Sequence, residues 1–229
     1  EQDAVNAEKI VEEEKFQVIS VERKSISQNP KPSFTTSTMQ QEASRKLGFS
    51  VARTMRIAQR LYEGIDIGGE TVGLITYMRT DSVQLAEEAV RSSRALIHKK
   101  FGTKYVPEKP NFYRNQTKNA QEAHEAIRPT NFSREPNHLL EFLDSDGQKL
   151  YQLIWKRAVA SSMQRAALEQ VTIDAADVLQ KTIMRATGSV IKFDGFLTLY
   201  QEDHDDPGEE DDDSKKILPN VDKGNLLTT

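Results

Sequence analysis

The sequence holds no cysteine, which excludes disulfide bridges and thiolate metal sites and fits a reducing, cytoplasmic compartment. No apolar run approaches the roughly 18 residues that a membrane-spanning helix needs, and the acidic, polar opening residues predict no secretory signal. Tryptophan is nearly absent, with Trp155 alone. That indole is expected in a core or as an anchor between domains rather than as a platform for stacked bases. A basic excess is missing too, the formal charge being −4. The figure misleads, because residues 202–213 hold nine of the 35 acids and no Lys or Arg; elsewhere 31 bases face 26 acids, a balance of +5. Such a balance permits contact with nucleic acid without demanding it.

What is present is an ordinary globular composition, 37% apolar and 29% charged over 229 residues, enough for one large domain or two small ones. Spacing predicts a helix from Asp3 to Lys15, then a loosely alternating strand from Phe16 to Val21. Residues 25–33, with Pro30 and Pro32, read as a connector and a first domain boundary. Helical spacing follows. Thr38-x-x-Gln41 resembles a capping box, and Gly48 stands where that helix would end. Ser50 is placed to cap a second helix, with Val51, Met55, Ala58, Leu61 and Tyr62 as its apolar face and Gly64 as its stop. Arg53, Arg56 and Arg60 fall on its other face, which suits a solvated surface and a phosphate-tracking stripe equally. Residues 65–70 form a Gly-rich loop. Asp81 or Ser82 is expected to cap a long helix to Phe101, residues 103–118 an ordered loop, Ala120 to Ile127 a short helix, and Gln148 to Met163 another with Leu150, Leu153, Ile154 and Ala158 inside.

From Glu169 the period changes to two. Val171/Ile173, Ile183/Arg185, Val190/Lys192 and Phe196/Thr198/Tyr200 suggest four short strands, with turns near 175–177, Gly188 and Asp194-Gly195. Residues 202–216 read as an acidic, solvated loop, in which Asp203-His204-Asp205 belongs to the exposed tract rather than to a metal site. Ile217-Leu-Pro and the stretch from Gly224 read as a last strand pair.

Chemistry is placed at residues 73–82, Gly-Leu-Ile-Thr-Tyr-Met-Arg-Thr-Asp-Ser. Thr71 to Tyr77 reads as a short extended run. Side chains two apart share a face there, so Tyr77 and Arg79 would point one way and Met78 the other. A phenol beside a guanidinium, close to a helix start, suits attack on a phosphodiester, since Arg pairs with two phosphate oxygens and a helix N-terminus favours anions. On spacing alone, a Tyr in such a run is ordinarily a packing residue.

The wording of the stretch adds to this. Ile-Thr-Tyr-Met-Arg-Thr-Asp-Ser (75–82) resembles the active-site motif of the type IA DNA topoisomerases. The Met before the Arg is similar to the bacterial topoisomerase I branch, where the topoisomerase III branch usually has Pro. Phe-Thr-Thr-Ser-Thr-Met-Gln-Gln (34–41), Ala-Gln-Arg-Leu-Tyr-Glu (58–63) and Ala-His-Glu-Ala-Ile-Arg-Pro (123–129) carry the resemblance independently, and it runs from about Phe16 onward. It implies an isomerase in which Tyr77 attacks one DNA strand, forms a 5′-phosphotyrosine and releases a 3′-hydroxyl, so that strand passage relaxes negative supercoils without ATP. An ordinary phenol titrates near 10, so at neutral pH under about 1% is phenolate, and the proton must be taken or the charge stabilised. Arg79 is the candidate for holding the scissile phosphate and His124 for a hydrogen bond on the phosphate side. Arg60, Thr80 and Asp81 are the further candidates for contact with DNA; Asp81 reads equally as a helix cap alone.

The resemblance implies an α+β, multidomain fold in which a mainly helical domain (31–164) carrying the tyrosine is inserted into a discontinuous β-rich, arch-like domain (1–30 and 165–229). The family's Mg²⁺ is handled by a Toprim domain with an Asp-x-Asp-x-Glu cluster, which is absent here; Asp144-Ser-Asp146 reads as a turn and helix start. The chain is therefore expected to be a central piece of a larger bacterial, nucleoid-associated enzyme, binding no metal itself and inactive alone. Its expected partners are single-stranded or negatively supercoiled DNA and the remaining domains of the same enzyme, with no membrane. The alternative is a non-catalytic helical DNA-binding module in which Tyr77 packs or stacks on a base.

Overall fold

The computed structural model of the chain describes residues 15–114, 125–177, 179, 181–200 and 221–227. The chain divides into two compact units, one from Glu1–Gln28, Ala167–Asp194 and Asp206–Thr229, the other from Asn29–Ala166 and Gly195–Asp205.

The first unit is built on a four-stranded sheet whose strands lie in the order Ile183–Phe193 (β5), Ala166–Asp177 (β4), Phe16–Gln28 (β1) and Leu226–Leu227 (β6). β1 (Phe16–Gln28) is longer than its alternation suggests and takes in Ser25 to Gln28, so the connector shrinks to residues 29–33. Two long strands replace the four short ones expected from Glu169 onward: β4 (Ala166–Asp177) and β5 (Ile183–Phe193), antiparallel with Thr172 opposite Thr187. Gly188 lies inside β5 opposite Val171, not in a turn, because its flanking β-branched residues keep the ladder going. The turn comes earlier, where Asp177 Oδ1 accepts the Lys181 N–H at 2.8 Å. Phe196 to Thr198 forms part of a 3-10 turn rather than a strand. β6 (Leu226–Leu227) pairs with β1. Alternate residues Val171 and Ile173 meet Val18 in a small core completed by Val21, Val190, Val221 and Leu227.

Among the described residues four α-helices organise the second unit: α1 (Thr36–Leu47), α2 (Val51–Glu63), α3 (Glu87–Phe101) and α4 (Ser145–Ser161). α4 starts at Asp144, whose carboxylate accepts the Gly147 N–H, and it is buried on nearly every side, Leu150, Leu153, Ile154 and Ala158 included. α1, α2 and α3 pack against it. Trp155 is a core residue, 2% exposed, with its indole N–H donated to Phe132 O at 2.9 Å. Ser50 caps α2 and Gly64 ends it, both as expected. Its buried face is rotated, however: Thr54, Ile57, Ala58 and Leu61 point inward, while Val51 is 57% exposed. Arg53 and Arg60 are tied to the start of α4 by ion pairs to Asp146 and Asp144 at 2.7 Å each. The Gly-rich loop is a tight hairpin between β2 (Ile65–Asp66) and β3 (Thr71–Val72). Among the described residues no helix is long and apolar enough to cross a membrane.

Candidate active site

α1 begins one turn before the expected capping box. Thr35 is the N-cap: its hydroxyl accepts the Thr38 N–H at 3.3 Å, and its own N–H is donated to Thr38 Oγ1 at 2.9 Å. Gln41 is therefore inside the helix, and the left-handed Gly48 (φ 65°) closes it.

The strand expected from Thr71 to Tyr77 stops at Val72, and the chain from Leu74 to Thr80 is irregular, bending at Thr76 and Met78, with a single bridge between Ile75 and Pro129. Neighbouring segments satisfy its backbone instead. The Thr76 N–H goes to Arg128 O at 2.9 Å, the Thr130 N–H to Leu74 O at 3.0 Å, and the Thr76 hydroxyl donates to Ala126 O at 2.8 Å. On the other flank the Thr36 N–H donates to Thr80 O at 2.9 Å, while Thr36 Oγ1 lies 2.8 Å from Met78 O and accepts the Thr80 N–H at 2.8 Å. Ile127 N–H to Phe34 O, 2.8 Å, closes the set. Three stretches remote in sequence, 34–36, 74–80 and 126–130, are thus laced together. The bridge at Ile127 also shows that the expected helix 120–127 does not extend to that residue.

The alternation predicted for the motif holds. Met78 is fully buried, while Tyr77 (46% exposed) and Arg79 face outward. The Tyr77 ring meets Tyr62 edge to face, centroids 5.3 Å apart at 64°.

Neither Asp81 nor Ser82 caps α3, which begins at Glu87 behind Ala86 without a side-chain cap. Hydroxyls compete for the backbone here: Thr80 Oγ1 accepts the Ser82 N–H at 3.0 Å and Ser82 Oγ the Gln84 N–H at 3.2 Å. The Ala86 N–H is taken by Glu125 Oε1 at 2.7 Å.

Arg79, Thr80 and Asp81 line a concavity of about 840 Å³ together with Thr36 and Ser37 at the start of α1 and with Arg114. Two guanidiniums and a helix N-terminus favour an anion; the Asp81 carboxylate on the same wall opposes a second one. Tyr113 also lines it and is anchored through its hydroxyl, which reaches Pro30 O (3.0 Å) and Ser161 O (2.9 Å); burial pushes that phenol well above the usual range.

Of the residues singled out from sequence, Arg79, Thr80 and Asp81 are brought together in this wall, with Thr80 itself buried. Tyr77 is on the same exposed stretch but not in the wall, and Arg60 is engaged with Asp144. His124 lies outside the described residues, as do the expected helix over 3–14 and the acidic tract with Asp203-His204-Asp205. Sequence reading placed Thr36 and Tyr62 inside the motifs 34–41 and 58–63 but missed what they touch: Thr36 clips the tyrosine motif in place, and Tyr62, expected on the apolar face of α2, backs Tyr77. The run Thr-Thr-Ser-Thr at 35–38 is rich in N-cap residues and points to a helix start there. Among the described residues no three His, Asp or Glu gather as a cation site.

A family model described as DNA topoisomerase matches residues 1–229. The chain is 47% identical over 229 residues to a DNA topoisomerase 1 of Rickettsia felis, covering 100% of this chain and 29% of that protein. It is 52% identical over 200 residues to a DNA topoisomerase 1 of Zymomonas mobilis, covering 87% and 15%. A solved structure of full-length topoisomerase I from Thermotoga maritima superposes with a TM-score of 0.80 at 34% identity, covering 98% of this chain and 34% of that one. The chain thus spans about a third or less of the length of these relatives.

Proposed function

Given that the chain belongs to the DNA topoisomerase family, we propose that it carries the strand-cutting centre of a type IA enzyme with Tyr77 as its nucleophile. Attack of Tyr77 Oη on phosphorus forms the tyrosine–phosphate bond and breaks the bond to the 3′ oxygen. The phenol loses a proton and the leaving oxygen gains one, so a 5′-phosphotyrosine and a 3′-hydroxyl result. The exchange of one phosphodiester for another is nearly balanced, and the reverse step reseals the strand without ATP. The observation that carries this reading is the outward alternation of Tyr77 and Arg79 around the buried Met78.

In this reading Arg79 holds the scissile phosphate, and its charge is worth most as negative charge develops on the equatorial oxygens. The start of α1 and Arg114 draw the neighbouring backbone into the concavity. Thr36 keeps residues 78–80 in place, and Tyr62 limits the swing of the Tyr77 ring. His124 would donate on the phosphate side, and Asp81 would orient a neighbouring donor. The substrate is single-stranded DNA exposed in negatively supercoiled duplex, and the partners are the remaining domains of the enzyme. Mg²⁺ would be held by those domains.

The exposed Tyr62–Tyr77 pair also suits a stacked base, so the same chain as a non-catalytic binding module is the competing reading. Tyr77→Phe separates the two. With the metal-bearing portion of a related enzyme supplied, the variant is expected to bind a single-stranded oligonucleotide normally and to form no covalent product. Cleavage that survives while binding falls would select the binding module. Arg79→Ala is expected to depress cleavage more than binding; equal losses would reduce Arg79 to an ordinary phosphate contact.

A further inference from the structure

A second cavity, of about 390 Å³, opens between α3 and the 110–113 loop. It shares Val83 and Tyr113 with the concavity at Arg79, so the two lie side by side with these residues between them. Its walls combine two kinds of group. Leu85, Val90 and Phe112 are apolar, and the Phe112 ring is 77% exposed, free to take a base on its face. Arg91 and Arg94 are cationic, one turn apart on α3. Arg94 Nη1 is enclosed and donates to nothing among the described residues. A guanidinium with part of its charge desolvated and unmatched attracts an anion that reaches its open edge more strongly than a solvated one would. Glu87 lines the same cavity and limits the negative charge it would accept.

An exposed aromatic beside arginines, in a cavity next to a phosphate-accepting concavity, is the chemistry of a single-stranded nucleotide subsite. We propose that this cavity holds a nucleotide of the same strand several positions beyond those a five-nucleotide strand fills, its base against Phe112 and its phosphate on Arg94 and Arg91. The proposal rests on the reading of the concavity given above. The linker 83–86 forms one wall, and Gln84 braces it by donating its side-chain amide to Tyr113 O. The same linker joins the tyrosine motif to α3, so strand occupancy in this cavity bears directly on the segment that holds Tyr77.

The test uses this chain and 5′-fluorescein-labelled single strands of about five and about fifteen nucleotides, with affinity read by anisotropy. The long strand is expected to bind at least tenfold more tightly than the short one. Phe112→Ala, at an exposed position that leaves packing intact, should remove about tenfold of that gain and leave the short strand unaffected. Arg91→Gln with Arg94→Gln should lower the slope of log affinity against log salt by roughly one for the long strand only. Equal affinities for the two lengths, no binding of either, or an undiminished gain in the Phe112→Ala variant would each overturn the proposal. Covalent capture of the short strand on Tyr77, with the metal-bearing portion added, reads the catalytic proposal separately. Capture without any length effect removes the subsite alone, and absence of capture removes the reading beneath it.

Discussion

Replacing Thr36 by Val keeps the shape of the side chain and deletes the one oxygen that ties α1 to the tyrosine motif. Thr36 Oγ1 accepts the Thr80 N–H at 2.8 Å and stands 2.8 Å from Met78 O and 3.1 Å from Thr80 O, so its single proton serves one of two carbonyls. Thr80 is 8% exposed. In the variant its N–H has no partner and no easy access to water, a loss of about 2 kcal/mol. For a unit of this size that lowers the melting temperature by about 4–8 °C. The more telling effect is on reactivity. The backbone bond from Thr36 N–H to Thr80 O remains, so the segment stays attached but loosens on the Met78 side. Displacement of Arg79 by about 1 Å would cut the rate of covalent capture by up to roughly a hundredfold. Thr36→Ser, which restores the hydroxyl, should recover most of both losses. Calorimetry and a time course of covalent capture on a labelled strand measure the two quantities. A Thr36→Val protein with unchanged melting and unchanged capture would refute the clip.

Gly73→Ala places a Cβ 2.7 Å from Tyr62 O, and because backbone yields poorly it should lower stability by about 1–3 kcal/mol in urea titration. Tyr62→Ala removes the edge-to-face partner of Tyr77 and is expected to slow covalent capture severalfold with little change in strand affinity, whereas Tyr62→Phe should behave as the parent does. Asp144→Ala loses the cap of α4, about 1 kcal/mol at neutral pH. The carboxyl of Asp144 is held below its ordinary value first by the Arg60 hydrogen bond and then by the Gly147 N–H. Its contribution is therefore complete above about pH 4 and fades as the pH falls below that. Asp144→Asn, which keeps the cap, should accordingly show a shallower loss of stability on acidification, as urea midpoints at neutral and acid pH would report.

Much of the helical unit was legible because its punctuation is local. Gly48, Ser50 and Gly64 act through their own backbone, and the apolar spacing of Leu150, Leu153, Ile154 and Ala158 states which face of α4 is inside. The first turn of α1 was misplaced because Thr35 and Thr38 are both competent caps, and only the approach of Thr80 selects the former. α3 starts four or five residues later than its sequence suggests, because Asp81 and Ser82 look like caps in isolation, whereas hydroxyl bonds from Thr80 and Ser82 claim the backbone first. In the sheet unit Gly188 reads as a turn in sequence, since period and propensity do not register that β4 pairs with it and with the residues before and after it. At the site, the exposure of Tyr77 and Arg79 and the burial of Met78 agree with alternation over three residues, while the choice of Tyr77 and Arg79 as candidates rests on the resemblance of residues 75–82. The roles of Thr36 and Tyr62 are not legible in this way, because each matters only through contact with a segment remote in the chain. The pairing of Arg53 and Arg60 with Asp146 and Asp144 was hidden for the same reason, and it turns two members of an apparent phosphate stripe into struts between α2 and α4.

The central claim is that Tyr77 becomes covalently joined to DNA. The direct measurement mixes this chain with the separately made metal-bearing portion of a related enzyme, Mg²⁺ and a labelled single strand, denatures the mixture and maps the labelled peptide by mass spectrometry. The account predicts one adduct, on Tyr77 and through the 5′ phosphate, with a free 3′-hydroxyl on the other fragment. An adduct on another residue, or none although the two portions associate and bind the strand, would contradict it.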